Sequence, residues 1–283
     1  MSTRSIKSSK IRIGDLSISY LERPASNSTT LKSENKTPKN IIFLHGFPFN
    51  KHMWKEQLLD LPAEFRGIAM DIRGHGQSTK GHGYFSIDVF AKDLKVFIEK
   101  LELEQVILCG ISMGGYIALR AYEIFPSLIH GLILCDTHSF ADSNAGKQKR
   151  FDAIQAILKF GRRPFSIGFV DTIFSKKTLL EKPELVEFIK KTIQKTSIPS
   201  ICATQLALAS RTDTTASLAQ IKVPTLVIKG KEDPLVTEEQ LQTLLTQIPT
   251  VSYAEFEHSA HLPNLEERDK FNETLNKFIQ SLF

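Results

Sequence analysis

The residues with the most pointed chemistry lie in one run, Gly110-Ile111-Ser112-Met113-Gly114. A serine with glycine two places to either side has the G-x-S-x-G pattern of a nucleophile on a very tight turn. Such a turn lifts the hydroxyl above a sheet and strains the serine backbone. Side chains at 110 and 114 would collide with neighbouring backbone, so glycine is needed at both. The helix that follows brings its positive end beneath the nucleophile, and Gly115 extends the close approach. Five residues alone also fit an ordinary Gly-rich turn. The flanks decide: an apolar strand, Val106-Ile107-Leu108-Cys109, precedes the motif and a helical stretch to about residue 125 follows it. The chemistry is nucleophilic attack on a carbonyl. It requires a base, an acid to orient the base, and donors for the oxyanion.

In this kind of site the acid and then a histidine follow the serine along the chain. Asp233, in Gly230-Lys231-Glu232-Asp233-Pro234, follows the apolar strand 224–229. His261 follows the strand 251–257. Each has a rival: Glu232 and Asp136 for the acid, His258 for the base. One oxyanion donor is the amide of Met113, directly after the serine. The second is assigned to the amide of Phe47, in the loop His45-Gly46-Phe47-Pro48, where Gly46 permits close backbone approach. Pro48 stiffens that loop and is a candidate for a cis bond. His45 reads as a structural hydrogen-bonder, and His75 as a lock in the turn Asp71–Ser78, with Asp71 and Arg73 as hydrogen-bonding partners. No H-x-x-x-H pair and no carboxylate cluster is visible, so no metal is expected.

Three loops so distant in sequence converge only at one end of a parallel sheet. The chain supplies it. Short apolar strands at 41–44, 67–71, 106–110, 131–136, 224–229 and 251–257 alternate with helical stretches at 53–61, 87–101, 113–125, 238–247 and 265–282. Continuous apolar strands separated by helices argue for a mostly parallel sheet covered on both faces. A hairpin at 11–13 and 16–20 precedes it, after a frayed tail over 1–10. The Ser/Asn/Lys-rich segment 24–40 reads as a polar loop or disordered insertion. Residues 137–220 carry helical patterns only. They predict an all-helical cap over the strand ends, where open α/β sheets bind ligands. The domain division is thus 1–136 with 221–283 for the core, and 137–220 for the cap.

Composition narrows the class. At 283 residues and 41% hydrophobic, the chain buries a large core and is neither disordered nor collagen-like. No apolar run approaches the ~20 residues of a membrane helix, and the basic N-terminus lacks the apolar stretch of a signal peptide. Cys109, Cys135 and Cys202 form no CxxC pair, which fits a reducing, cytoplasmic location. The cap holds 13 Lys/Arg against 7 Asp/Glu, the rest of the chain 23 against 24. These basic residues are scattered and lack interleaved aromatics, so a solvated surface is the first reading. Steering of a small anion is the second, with nucleic acid and membrane behind both.

The His45–Pro48 loop, the Asp71–Ser78 turn, the Gly110–Gly115 elbow, the Asp233 loop and His261-Leu262-Pro263-Asn264 together resemble the α/β-hydrolase family, in that family's order. The resemblance implies a Ser112–Asp233–His261 triad and no cofactor. Because the elbow holds serine, the aspartate-nucleophile branches are disfavoured. The run His261–Glu266 followed by Phe271-Asn272, and Asp136-Thr137 followed by Arg150-Phe151, look like the 3-oxoadipate enol-lactonase branch and also like many carboxylesterases and cofactor-free perhydrolases. The expected partner is a small-molecule ester or lactone, with no nucleic acid and no membrane insertion, acted on by a monomer or homodimer; a non-catalytic ligand-binding protein on the same fold is the alternative, disfavoured because a binder needs no nucleophile, acid, base and oxyanion donors together. Trp54, Phe140 and Phe165, with Phe160, Phe169 and Phe174, are candidates for an apolar substrate pocket under the cap; plain packing is the alternative for each.

Overall fold

A computed structural model describes residues 5–26 and 39–283. The chain opens on an edge hairpin, β1 (Lys7–Ile13) and β2 (Leu16–Arg23). Lys7 pairs with Glu22 and Ile13 with Leu16, so residues 7–10 are strand and the expected frayed tail is corrected there. Their polar character suits an outermost strand whose side chains meet water. Residues 1–4, and most of the polar insertion (27–38), lie outside the described residues.

The remaining strands are β3 (Lys39–Leu44), β4 (Phe65–Met70), β5 (Val106–Ile111), β6 (Ile129–Cys135), β7 (Thr225–Gly230) and β8 (Val251–Phe256). The eight strands lie in the order β1-β2-β4-β3-β5-β6-β7-β8. β3 through β8 run parallel, and β2 is antiparallel to both β1 and β4. Side chains alternate between the two faces. Ile42, Leu44 and Leu108 meet one face's helices, α2 (Ile87–Lys100) and α3 (Met113–Ile124), through Phe90, Leu94, Phe97 and Ile117. Ile41, Phe43 and Ile107 meet the other face, where α1 (Lys55–Asp60) contributes Leu58. Each such side chain, fully buried, contributes roughly 1.5–3 kcal/mol.

Between β6 and β7 the described chain is helical: α4 (Asn144–Phe160), α5 (Arg162–Ile173), α6 (Lys176–Glu181), α7 (Pro183–Lys195) and α8 (Ile198–Ala209). Serine starts three of them. The hydroxyls of Ser143, Ser175 and Ser197 accept from the amides of Gly146, Thr178 and Ser200, satisfying donors that a helix leaves open at its start. After β7 come α9 (Glu238–Gln247), then α10 (Pro263–Glu266) and α11 (Arg268–Ser281) beyond β8. Phe271, Leu275 and Ile279 of α11 close the second face.

One feature of the strand order positions the site. From β3 the chain moves to β4 on one side, then returns to place β5 on the other. The loops after β3 and β5 therefore part in opposite directions and leave a crevice at the strands' C-terminal ends.

Candidate active site

Ser112 sits at that crevice with φ 53° and ψ −116°, between β5 and α3. This left-handed backbone is costly for a residue with a Cβ, and its surroundings hold it. The Ser112 amide donates to the Cys135 carbonyl at 2.9 Å, while its own carbonyl accepts from the Gly115 amide and the Thr137 hydroxyl, both at 2.9 Å. A Cβ at Gly110 would overlap the Gly114 backbone, and one at Gly114 would overlap the Leu44 carbonyl. Glycine is thus required by backbone atoms that cannot retreat. A Cβ on Gly46 would stand 3.4 Å from that of Ser112, so the loop after β3 passes directly beside the serine.

That loop contains a cis Phe47–Pro48 bond. The Phe47 amide finds no acceptor among the described residues. Met113 opens α3, where the first amides lie beyond the helix's own hydrogen-bond ladder. Beneath the loop, the His45 ring accepts the Ile72 amide at Nε2, 3.0 Å, and donates from Nδ1 to the Gly46 carbonyl, 2.8 Å. Burial, then neighbouring His75, push its pKa well below the usual histidine range, so the ring is neutral. His75 hydrogen-bonds the Arg73 carbonyl through Nδ1, and burial lowers its pKa to about 4. Both act as loop braces. Asp71 joins them: it binds the Lys51 amide and ammonium and the Gln77 amide, with Lys51 and Asp71 both fully buried. Arg73 forms a two-pronged pair with Asp93 at 2.7 Å.

Across the crevice, His261 Nδ1 lies 3.0 Å from Asp233 Oδ2, both side chains buried. A carboxylate accepting at Nδ1 fixes the proton there and leaves Nε2 with its lone pair. Burial pushes the Asp233 carboxyl up. The charge and hydrogen bond of His261, the Leu235 amide and Lys229 outweigh this and hold it below the usual range. The rivals Glu232 and His258 face solvent. Asp136 does not. It ends β6 at φ 43° and lies, fully buried, with a carboxyl oxygen within 4.8 Å of donor atoms on Asp233 and His261. Folding therefore creates the carboxylate cluster that the linear sequence did not display, because β6 and β7 are neighbours in the sheet. These three are the described residues whose donor atoms gather closely enough to hold a metal ion. Their atoms are already engaged: Asp136 Oδ1 accepts the Gly230 amide, Asp233 Oδ1 accepts the Leu235 amide, and Asp233 Oδ2 meets the imidazole.

A family model described as the alpha/beta hydrolase fold matches residues 39–166. A superfamily relative in Bacillus subtilis, the AB hydrolase superfamily protein YisY, is 32% identical over 249 residues, covering 85% of this chain and 91% of its own. The chain belongs to the α/β-hydrolase family. It is also similar to 3-oxoadipate enol-lactonase 2 of Acinetobacter baylyi, with 28% identity over 85% of this chain and 88% of that protein. Among solved structures, a thermophilic esterase from Thermogutta terrifontis superposes with TM-score 0.87 at 26% identity, over 98% of this chain and 99% of that one.

In this α/β hydrolase the expected pocket residues separate. Trp54 is a correction: it is fully buried between Phe43, at 5.1 Å, and Phe271, at 6.1 Å, in the core beneath the sheet. Plain packing, the alternative for each of these aromatics, is what the structure shows for Trp54. Phe160 is another correction, 62% exposed at the end of α4. Phe165 and Phe169 of α5 pack over Phe47, with ring centroids 6.3 and 6.1 Å away. Phe140 is half-buried against His138, and its carbonyl accepts from Arg211.

Sequence reasoning gave no role to Glu266. Its buried carboxylate accepts the amides of Ala260 and Leu262, on both sides of His261, and that of Ser175 in the cap. The His261 amide itself donates to Ile173 of α5 at 3.0 Å. The His261 loop and the helices between β6 and β7 are thus stitched together. A glutamate in an apolar turn five residues after a candidate base is the signal that pointed there.

Proposed function

We propose that this α/β hydrolase is a serine hydrolase that cleaves small carboxylic esters or lactones through an acyl-enzyme. The observation that carries the reading is the buried Asp233–His261 pair, on the same strand rim as Ser112 in its left-handed turn. Ser112 Oγ attacks the carbonyl carbon while His261 takes the hydroxyl proton at Nε2. Asp233 orients the ring and stabilises the imidazolium. The amides of Phe47 and Met113 receive the oxyanion, each worth about 100–1,000-fold in rate. Collapse of the tetrahedral intermediate expels the alkoxide, which takes the proton from His261. Water, activated by the same nitrogen, then attacks the acyl carbon and releases the acid and Ser112. Phe165, over the Phe47 ring, borders the acyl site, and Phe140 bounds it at the chain's passage into the cap.

The second reading is an anionic lactone such as 3-oxoadipate enol-lactone, favoured by the enol-lactonase relative and the basic cap. Four of those thirteen cations are paired locally: Asp142 binds Arg150 and Arg211, and Glu187 binds Lys190 and Lys191. The neutral substrate therefore stays first. Added salt separates the two, because only steering of an anion makes kcat/KM fall steeply with ionic strength.

No described helix is long and apolar enough to cross a membrane. The three free cysteines support a cytoplasmic setting, with the enzyme working as a monomer or homodimer. The test is a panel of p-nitrophenyl esters from acetate to palmitate. The native protein is expected to turn over the shorter ones, and Ser112→Ala to lose that turnover. Equal rates in the variant overturn the reading.

A further inference from the structure

Two carboxyl groups stand where the reading above needs one. Asp136 is 1% exposed, and its Oδ2 is buried with no hydrogen-bond partner in an ionised carboxylate's acceptor-only role. An unserved buried oxygen is costly. Yet the residue is firmly placed. Its amide donates to Ile228 at 2.9 Å, its Oδ1 accepts the Gly230 amide at 2.8 Å, and its φ of 43° is a left-handed conformation that a short polar side chain such as aspartate tolerates. Its carboxyl faces that of Asp233.

Resting on the triad reading, we infer that Asp136 is a positioning residue that keeps its proton and donates it as a hydrogen bond to the Asp233 carboxylate from behind. The chemistry is that of two buried acids sharing a site, where both cannot ionise. His261 decides which one does, because it pairs with Asp233 alone. The orphaned Oδ2 then becomes a donor with an acceptor in front of it. Burial first, then the Asp233 charge, push the Asp136 carboxyl well above the usual range, against the pull of the Gly230 amide. The other titratable groups acting here are Cys135 on β6, Lys229 on β7, Tyr253 on β8, Tyr116 on α3 and His261. The acid in the site is thereby held from two sides, by the imidazole it orients and by the neutral carboxyl behind it.

The test uses Asp136→Asn and Asp136→Ala. Asn keeps both bonds, its Oδ1 to the Gly230 amide and its NH2 to Asp233, and tolerates a left-handed backbone. The acid limb of kcat/KM against pH is the first readout. In D136N the limb is expected to stay in place. In D136A, Asp233 loses its donor, holds the imidazolium more tightly, and the limb moves up by about half a pH unit or more. An ionised Asp136 would instead make both variants shift the limb down, since each removes a negative charge. A drop in rate with no limb shift in D136A would mean a merely structural role. Either result overturns the proposal. The second readout needs no activity: the urea midpoint of D136N minus that of the native protein, from pH 4 to 8. A proton kept only in the folded state costs stability increasingly as pH rises above the unfolded aspartate value. The difference is therefore expected to grow in favour of D136N with rising pH. A constant or shrinking difference overturns the proposal, even if Ser112 proves inert.

Discussion

The rim of the sheet and the helical cap are built on different principles. At the rim, backbone meets backbone. Gly114 abuts the Leu44 carbonyl, and a Cβ on Gly230 would overlap the carbonyl of Ala260, next to His261. Buried braces, Lys51 with Asp71 and Glu266 with three amides, remove what freedom remains. In the cap, large apolar side chains meet water instead. Leu180, Leu158 and Phe160 are 83, 67 and 62% exposed, and pairs such as Lys190–Glu187 lie on its surface. Chemistry that needs fixed geometry sits in the over-determined region. The helices between β6 and β7 are held to it by a few bonds, such as Thr196 to Pro48 and Ile173 to His261, and under the proposed function they are the part expected to differ with substrate.

If that contrast is real, its largest expression is in rate. His261→Ala is expected to lower kcat/KM on a short ester by about 10⁴-fold or more. Phe140→Ala, in the cap passage, should cost less than about tenfold, since it touches no reacting atom. Steady-state kinetics on both variants, with circular dichroism to confirm folding, would break the comparison if the losses were similar.

Stability comes next. Gly114→Ala drives a methyl into the Leu44 carbonyl and is expected to cost 3 kcal/mol or more, on the order of a severe overpacking. Leu180→Ser in the cap is expected to stay within about 0.5 kcal/mol. Urea unfolding reads both.

The rim should also be the acid-sensitive part. Burial lowers the pKa of His45 and His75 beneath the His45–Pro48 loop, and of His138 to about 3 just past β6. Unfolding lets each take up a proton near pH 6.5 that the folded state refuses. Their contribution is complete above that pH and is lost as pH falls toward 4, by about 1.4 kcal/mol per unit for each ring. His75→Gln, measured by urea unfolding at pH 7 and pH 5, should flatten this slope. An unchanged slope would remove His75 from the account. The smallest effect is expected from Phe165→Ala, a few-fold rise in KM with a shift toward bulkier acyl chains.

The same contrast explains what the sequence disclosed. The elbow was legible because sterics alone require Gly110 and Gly114, and the strands because apolar runs broken by helices have few other uses. The family and the mostly parallel sheet followed. Residues whose meaning depends on neighbours in space were not legible. Asp136 looked like a rival for Asp233 because nothing local reveals that β6 and β7 lie side by side. Trp54 carried the same signal whether it lined a pocket or the core. Lys7–Lys10 looked like a tail because an edge strand needs no apolar face of its own.

The central claim is that Ser112 is a nucleophile activated by His261. The direct measurement is the intact mass of the native protein after treatment with a fluorophosphonate, followed by peptide mapping. One adduct is expected, on Ser112, absent in Ser112→Ala and formed far more slowly in His261→Ala. A folded native protein that stays unlabelled, or that labels elsewhere, would contradict it.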